Sequence, residues 1–337
     1  MTQPTVLTVI LNYRTPELTL RAADAALREM SGLPGEVLIV DNESGDGSLA
    51  LMGKVAEDRG WTAGNRCRVV GSGRNGGFGA GMNFGMSCGL SDGSVPDYYY
   101  LLNSDAFPDP GAIRTLRDFL MATPKAGMAG SLVHGPDGTA HNTAFRFPSA
   151  LGEFEAAAHT GVISRLLAKS AVVLPLPAQT CRVDWTAGAS LMVRRTMLDQ
   201  IGGFDETFFL YFEETDLCRR AVRAGWETWY VRESTVVHIG SVSTGAQGWT
   251  RMPGYWFDSR LYYFTRNHGP AYAALATASW VAGGLIWKLR KLISGKPRRN
   301  AKYFMSDLIL HALRAPFRKS TGLPPLPDPT PLKETSK

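Results

Sequence analysis

Four apolar, β-branched segments recur in the first 105 residues, and each turns polar at its carboxyl end: TVLTVILNY (5–13), EVLIVDN (36–42), CRVVGSG (67–73) and YYYLLNSD (98–105). Helix-compatible stretches separate them, at about 16–30, from Ser48, from about Gly77 to Gly89, and in PGAIRTLRDFLMA (110–122), with Pro110 near the first turn. Runs this apolar are buried on both faces, and alternation with helices brings each strand back parallel to the last. The expectation is an α/β fold: a mostly parallel sheet flanked by helices. Ligands of such sheets sit at the carboxyl ends of the strands. The polar groups gathered there are Asn12-Tyr13-Arg14, Asp41-Asn42, Gly71 to Gly77, and Asn103-Ser104-Asp105.

The third of these ends contains a literal G-x-G-x-x-G at Gly71, Gly73 and Gly76. A dinucleotide fingerprint belongs in the first strand-to-helix turn, with its third glycine inside the opening helix and an acid about 20 residues on. Here the match follows the third strand, Gly77 comes directly after Gly76, and the next strand-ending acid is Asp105. An NAD-dependent oxidoreductase is therefore a rival reading, out of its usual context. Seven glycines in residues 71–85 exceed what one turn needs, and a backbone that approaches a ligand closely explains the excess.

Several side chains are candidates for chemistry. Asp105 ends a strongly apolar strand; it either caps the next helix or serves a site. Asp109, just before Pro110, is a suitable N-cap, which leaves Asp105 for a Mg2+ or Mn2+ ion carrying a diphosphate. The segment GGFDETFFLYFEETDLCRRAVRAGW (202–226) delivers Glu213, Glu214 and Asp216 to the start of a helix after an aromatic run. The helix dipole favours acids there, and Asp216 is spaced to pair with Arg220. At least one of these acids follows apolar sequence closely enough to be half-buried, which raises its pKa and suits a general base. His238 ends another β-branched run, TVVHIGS; it is either structural or an imidazole ligand to the same class of ion.

Charge is unevenly placed. Residues 286–320 carry ten Lys/Arg and one acid, a net of +9, which leaves −3 on residues 1–285. A nucleic-acid-binding surface would not need that partition; a membrane-facing appendage would. The uncharged run AYAALATASWVAGGLIW (271–287), then KLRKLISGKPRRNAK, reads as interfacial docking on anionic lipid. A helix packed on the catalytic part and a true span are the other readings. The cysteines Cys67, Cys88, Cys181 and Cys218 form no CxxC pair, and VLTVIL is too short for a signal sequence, so a cytoplasmic location is expected.

Taken in order, LNYR, VDNESGDGS, NGGFGAGMN, LLNSDAFPD, VDWTAGASLMVRR, GGFDETFFLYFEETDLCRR and VVHIGS resemble the inverting family 2 glycosyltransferases, most closely the rhamnosyltransferase-like branch. The resemblance spans about residues 5–245. It implies a GT-A fold, Rossmann-like, over residues 1–255; charge and composition make 256–320 a helical basic membrane-associating appendage and 321–337 a flexible Pro-rich tail.

The same resemblance implies roles. Asp41 reads the nucleotide base, helped by Asn12 and Tyr13; Arg74, Asn75 and Gly76 lie along the nucleotide and diphosphate. Asp105 is the last acid of a D-x-D metal motif whose first acid is Asn103 here, and His238 completes the metal site for Mg2+ or Mn2+. Glu214 stands where the family's general base is usually Asp, with Glu213 as fallback. Asp184, Trp185 and Gly188 form a wall near the transferred sugar and the acceptor. The implied donor is a nucleoside-diphosphate sugar: rhamnose from dTDP first, galactofuranose from UDP next. The implied acceptor is lipid-linked or a glycan, met at the inner face of the cell membrane. A sugar-phosphate nucleotidyltransferase would need an arginine-rich loop after the first strand, where only Arg14 stands. A non-catalytic sugar-binding relative is kept open by Asn103 and Glu214.

Overall fold

The computed structural model describes residues 3–240, 249–294 and 301–314. The chain opens with β1 (Val6–Asn12), α1 (Pro16–Glu29), β2 (Gly35–Asp41), α2 (Ser48–Asp58), β3 (Cys67–Gly71), α3 (Gly77–Ser87) and β4 (Tyr98–Asn103). A short β5 (Ala106–Pro108), α4 (Ala112–Ala122) and β6 (Ala126–His134) follow. Next come β7 (Ala140–His141), β8 (Ala144–Phe145), α5 (Ala150–Ala158), α6 (Gly161–Leu166), β9 (Cys181–Val183), β10 (Trp185–Thr186), β11 (Ser190–Arg194) and α7 (Arg195–Ile201). The remainder is α8 (Glu213–Arg223), β12 (Glu227–His238), α9 (Gly254–His268), α10 (Pro270–Ser294) and α11 (Phe304–Arg314).

The main sheet runs β3-β2-β1-β4-β11-β6-β12-β5. Its first four strands are parallel, as the alternation predicts; β11 then enters antiparallel between β4 and β6. The strands are apolar throughout because both faces are covered. Along β1, Val6 and Ile10 pack under α1, α2 and α4, whereas Leu7 and Val9 pack under α3, α7 and α8. The two-residue period of a strand divides one run between two cores.

Register places the site. Asn12 lies opposite Asp41, Leu11 opposite Asn103, and Asp41 opposite Gly71. Four strand ends therefore stand abreast over about 14 Å, three inter-strand spacings. The order reverses between β1 and β4, so this edge is a topological switch point.

One expectation is corrected here. Asp109 does not cap α4, which starts at Ala112 behind Gly111. The cause is β5: its pairing with β12 carries the Asp109 N–H onto the Thr235 carbonyl at 3.1 Å, and the Asp109 carboxylate meets His134 Nε2 at 2.8 Å. The apolar run 271–287 and the basic KLRK that follows lie in the single helix α10. That helix packs along α5 through Gly283, where a Cβ would lie 2.4 Å from the Phe154 carbonyl oxygen. No helix among the described residues is long and apolar enough to cross a membrane. The Pro-rich tail lies outside the described residues.

Candidate active site

The ends of β1 and β2 are locked by a buried polar knot. Asn12 Nδ2 donates to Asp41 Oδ1 (2.7 Å) and Ser44 Oγ (3.1 Å), and its Oδ1 accepts from Thr19 Oγ1 (2.7 Å). Ser44 Oγ donates to Asp41 Oδ1 (2.6 Å) and its N–H to Oδ2 (3.0 Å). Asn12 is fully buried, so it holds Asp41 and the following turn; Asp41 itself is 4% exposed. Arg14, in the left-handed region at φ 56°, lies over the Tyr13 ring and donates to the Ser44 carbonyl.

The glycine segment is organised mainly by packing, which corrects the expectation that ligand approach explains its glycines. Gly77 has φ +86°, and a Cβ there would sit 1.7 Å from the Phe209 carbonyl oxygen. The glycines at 79, 81 and 85 bring α3 against Phe204, Leu11 and Val9. Helix α3 starts at Gly77 with Gly76 at its N-cap, so no glycine of Gly71, Gly73 and Gly76 lies inside the helix as a dinucleotide turn requires. Asn75 Oδ1 accepts from Gly77 N and from Asn42 Nδ2, each at 3.1 Å. Arg74 forms an ion pair with Glu206.

At the end of β4 three expected residues meet. His238 Nε2 lies 3.1 Å from Asp105 Oδ1 and 3.4 Å from Asn103 Nδ2. Pairing of His238 with Ala106 in the β12–β5 ladder brings residues 133 apart in sequence together. Among the described residues no cluster of three His, Cys, Asp or Glu side chains is placed to hold a metal. The pair nevertheless fits a Mg2+ or Mn2+ ion: adjacent ligands of an octahedral ion about 2.1 Å away lie about 3 Å apart, and such ions take their remaining ligands from water and substrate phosphates. Thr15 Oγ1 to Ser104 Oγ (3.2 Å) ties this corner to the end of β1.

The acids at the start of α8 are turned inward by strained backbone. Tyr211 and Phe212 both adopt φ 70°, a left-handed pair that non-glycine residues rarely form. Glu213 is buried, and Glu214 is half-buried with its Oε2 fully covered; neither Oε2 has a hydrogen-bond partner. Burial raises the Glu213 carboxyl well above the usual range, and the Glu214 charge adds to that. Burial also raises Glu214, opposed by its own backbone and by the Gly188 N–H that donates to it. Glu213 is thus the member that holds a proton, and Glu214 the member that ionises first. Asp216 is structural, as its spacing implies: fully buried and 2.8 Å from Arg220.

Gly188 connects the two halves of the site. Its N–H meets Glu214, and the neighbouring Ala189 carbonyl accepts from Asn103 N at 3.1 Å. Trp185 stacks on Phe145 at 4.1 Å and, with Glu214, lines a cavity of about 820 Å³. Asp184 instead accepts from the Phe147 N–H (2.8 Å) and does not line that cavity. The sequence reading passed over Ser44, and also Trp249, Trp256 and Trp280, which line the same cavity. The aromatic density of GWTRMPGYWF (248–257) was the available signal for that wall.

Comparison with known proteins gives the family and the fold. The model of "Glycosyl transferase family 2" matches residues 5–169, and that of "Glycosyl transferase family group 2" matches residues 98–311. An N-acetylglucosaminyl-diphospho-decaprenol L-rhamnosyltransferase of Mycobacterium tuberculosis is 29% identical over 292 residues, covering 85% of this chain and 89% of its own. Rhamnosyltransferase WbbL of Escherichia coli is 39% identical over 56 residues, 17% of this chain and 21% of its own. A mannosyltransferase from Pyrobaculum calidifontis, solved with GDP-Man and Mn2+, superposes with a TM-score of 0.55 at 15% identity, covering 93% of this chain and 87% of that one. The fold is GT-A.

Proposed function

The chain belongs to glycosyl transferase family 2, and on that footing we propose that it moves rhamnose from a dTDP donor to a hydroxyl of a lipid-linked acceptor in cell-envelope glycan synthesis, with inversion. The rhamnosyltransferase similarity over 85% of the chain supports the sugar and the acceptor class. The observation that carries the mechanism is Glu214: a half-buried carboxylate beside Gly188, with one oxygen unpartnered, lining the large cavity.

The donor lies along the strand ends. Asp41, fixed by Asn12 and Ser44, faces the base beside Tyr13; Asn75 and Gly76 follow the diphosphate; Asn103 offers an amide to ribose or sugar hydroxyls. A Mg2+ or Mn2+ ion held by Asp105 and His238 would neutralise charge developing on the departing diphosphate. Glu214 takes the proton of the acceptor hydroxyl. The acceptor oxygen so freed forms the new bond to the anomeric carbon from the face opposite the diphosphate, whose bond to that carbon breaks. Glu213 beside it, protonated, leaves Glu214 as the single charge. Gly188 positions the base, and Trp185 forms part of the acceptor wall.

Residues 256–320 serve as the appendage that meets the inner face of the membrane. On α10, Leu285, Lys288, Leu289 and Leu292 are exposed at helical spacing, with Lys291 beside them. That stripe of leucine and lysine suits the interface of an anionic bilayer. Arg290 is not part of it, because it bonds to the His159 carbonyl and Thr160.

The test is turnover of dTDP-rhamnose with an N-acetylglucosaminyl diphosphate on a short prenyl chain as acceptor probe. Glu214→Gln is expected to lower kcat by about 10²- to 10⁴-fold while donor affinity persists. An active Glu214→Gln enzyme would transfer the base to another residue; a wild-type protein that ignores the probe with every sugar nucleotide would remove the acceptor class.

A further inference from the structure

Glu214 stands in the first turn of α8, and the segment that aims it runs from Asp205 to Phe212 and ends in the left-handed pair Tyr211-Phe212. Non-glycine residues keep such a conformation only where their surroundings over-determine it. Here those surroundings include one face of α9. Tyr255, Ser259, Tyr262 and Arg266 recur at spacings of four, three and four, so they share that face.

Each of them meets the turn at a different point. Tyr255 lies against Phe209 and Tyr211, with ring centroids 5.5 and 6.4 Å apart. Ser259 is buried, and its Oγ donates to the Leu210 carbonyl at 3.0 Å. Tyr262 packs on the buried Phe208 and donates to Asp205 Oδ2 at 2.9 Å. Arg266 reaches Asp205 at 2.8 Å and Asp216 at 3.5 Å, tying the start of the turn to α8. Composition assigns most of α9 to the membrane-facing appendage, yet this face is occupied by the turn that carries the base. Ser259 grips the main chain itself, at the carbonyl directly before the left-handed pair. It does not line the 820 Å³ cavity that Glu214 lines.

Resting on the reading of Glu214 as the base, we propose that α9 belongs to the catalytic apparatus and that Ser259 is a positioning residue. Its hydrogen bond to the Leu210 carbonyl fixes the peptide that enters the left-handed pair, and through that pair the direction in which α8 presents Glu214. A change at Ser259 reaches the reaction only through the turn.

Ser259→Ala removes the tie and leaves a strong helix former in α9. Hydrogen exchange reads the turn without any substrate: the amides of residues 209–214 are expected to exchange about fivefold faster in the variant, while those of β1 and β4 keep their wild-type rates. In turnover of dTDP-rhamnose with the short-chain acceptor probe, Ser259→Ala is expected to lower kcat about tenfold or more and to leave both KM values within about twofold, because a misdirected base slows the chemical step and not binding. Ser259→Thr, which restores a hydroxyl, is expected to recover most of kcat. Wild-type exchange at 209–214 in Ser259→Ala overturns the proposal, as does faster exchange with an unchanged kcat, or a loss that falls on KM instead of kcat. An active Glu214→Gln enzyme removes the base reading and this proposal with it; an inactive Glu214→Gln beside a fully active Ser259→Ala removes this proposal alone.

Discussion

Glu213 and Glu214 are adjacent in sequence and unequal in environment, and that inequality sets two pH responses. Burial raises Glu214, so the base is protonated at low pH and ionises only as pH climbs through its raised pKa. The acid limb of kcat/KM is therefore expected above the usual glutamate range, with a one-proton slope; a limb at or below about pH 4.3 would contradict this base. Glu213 bears on stability. Its folded pKa is raised, so the folded state holds its proton better than the unfolded chain does. That stabilisation is complete below the unfolded pKa and is lost as pH rises through the folded value. Glu213→Gln should raise Tm by about 1–3 °C at neutral pH, and the gain should vanish below about pH 4, read by thermal melts across pH. Both acids were visible in FEETD, and the aromatic run before them implied that at least one would be half-buried. Which of the two stays charged was not visible, because it depends on Gly188, 26 positions away.

Helices and strands carry the next layer of constraint. The turn before α3 and the turn before α8 are joined where Gly77 abuts the Phe209 carbonyl and the Phe78 N–H donates to it at 3.1 Å. A side chain at 77 must part these two elements, and α8 carries Glu214. Gly77→Ala is expected to cost about 2–4 kcal/mol and most activity. Gly73→Ala shares the positive φ but meets nothing within 4 Å, so only the backbone cost of about 1–2 kcal/mol remains. Urea denaturation of both variants checks the difference; equal losses would show that the contact with residue 209 is unimportant. The alternation of strands and helices, their approximate ends, and the start of α3 after Gly76 were all legible in the apolar periodicity. The Asp109 cap was misread because the three-residue edge strand β5 carries no periodic signal, yet its ladder to β12 moves Asp109 to His134.

Across the molecule, charge is divided between a basic C-terminal part and an acidic remainder. Helix α10 fixes its buried face on α5 and leaves the Leu285–Leu292 stripe outward. Binding to anionic phosphatidylglycerol vesicles is expected, and Lys288→Ala with Lys291→Ala should weaken it by roughly 2 kcal/mol, about 30-fold. Cosedimentation at low and high salt measures this; binding that ignores both lysines and salt would refute an electrostatic contribution. The charge partition raised the expectation of such a surface from composition alone. It did not reveal that Arg290 is drawn inward to residues 159 and 160, since a helix's rotation is set by what it packs against.

Local chemistry was readable along the chain: which segments become strands, where their polar ends lie, which acids begin a helix, and where cationic residues accumulate. Each of these follows from periodicity and propensity over a few neighbours. Convergence was a different matter. The contact of Asp105 with His238, the approach of Gly188 to Glu214 and the closure of an aromatic chamber by α9–α11 join residues that no short window contains. Sheet order and helix packing bring them together, because hydrophobic burial of both sheet faces fixes the strand ends in one edge and leaves the long-range contacts no other place to form.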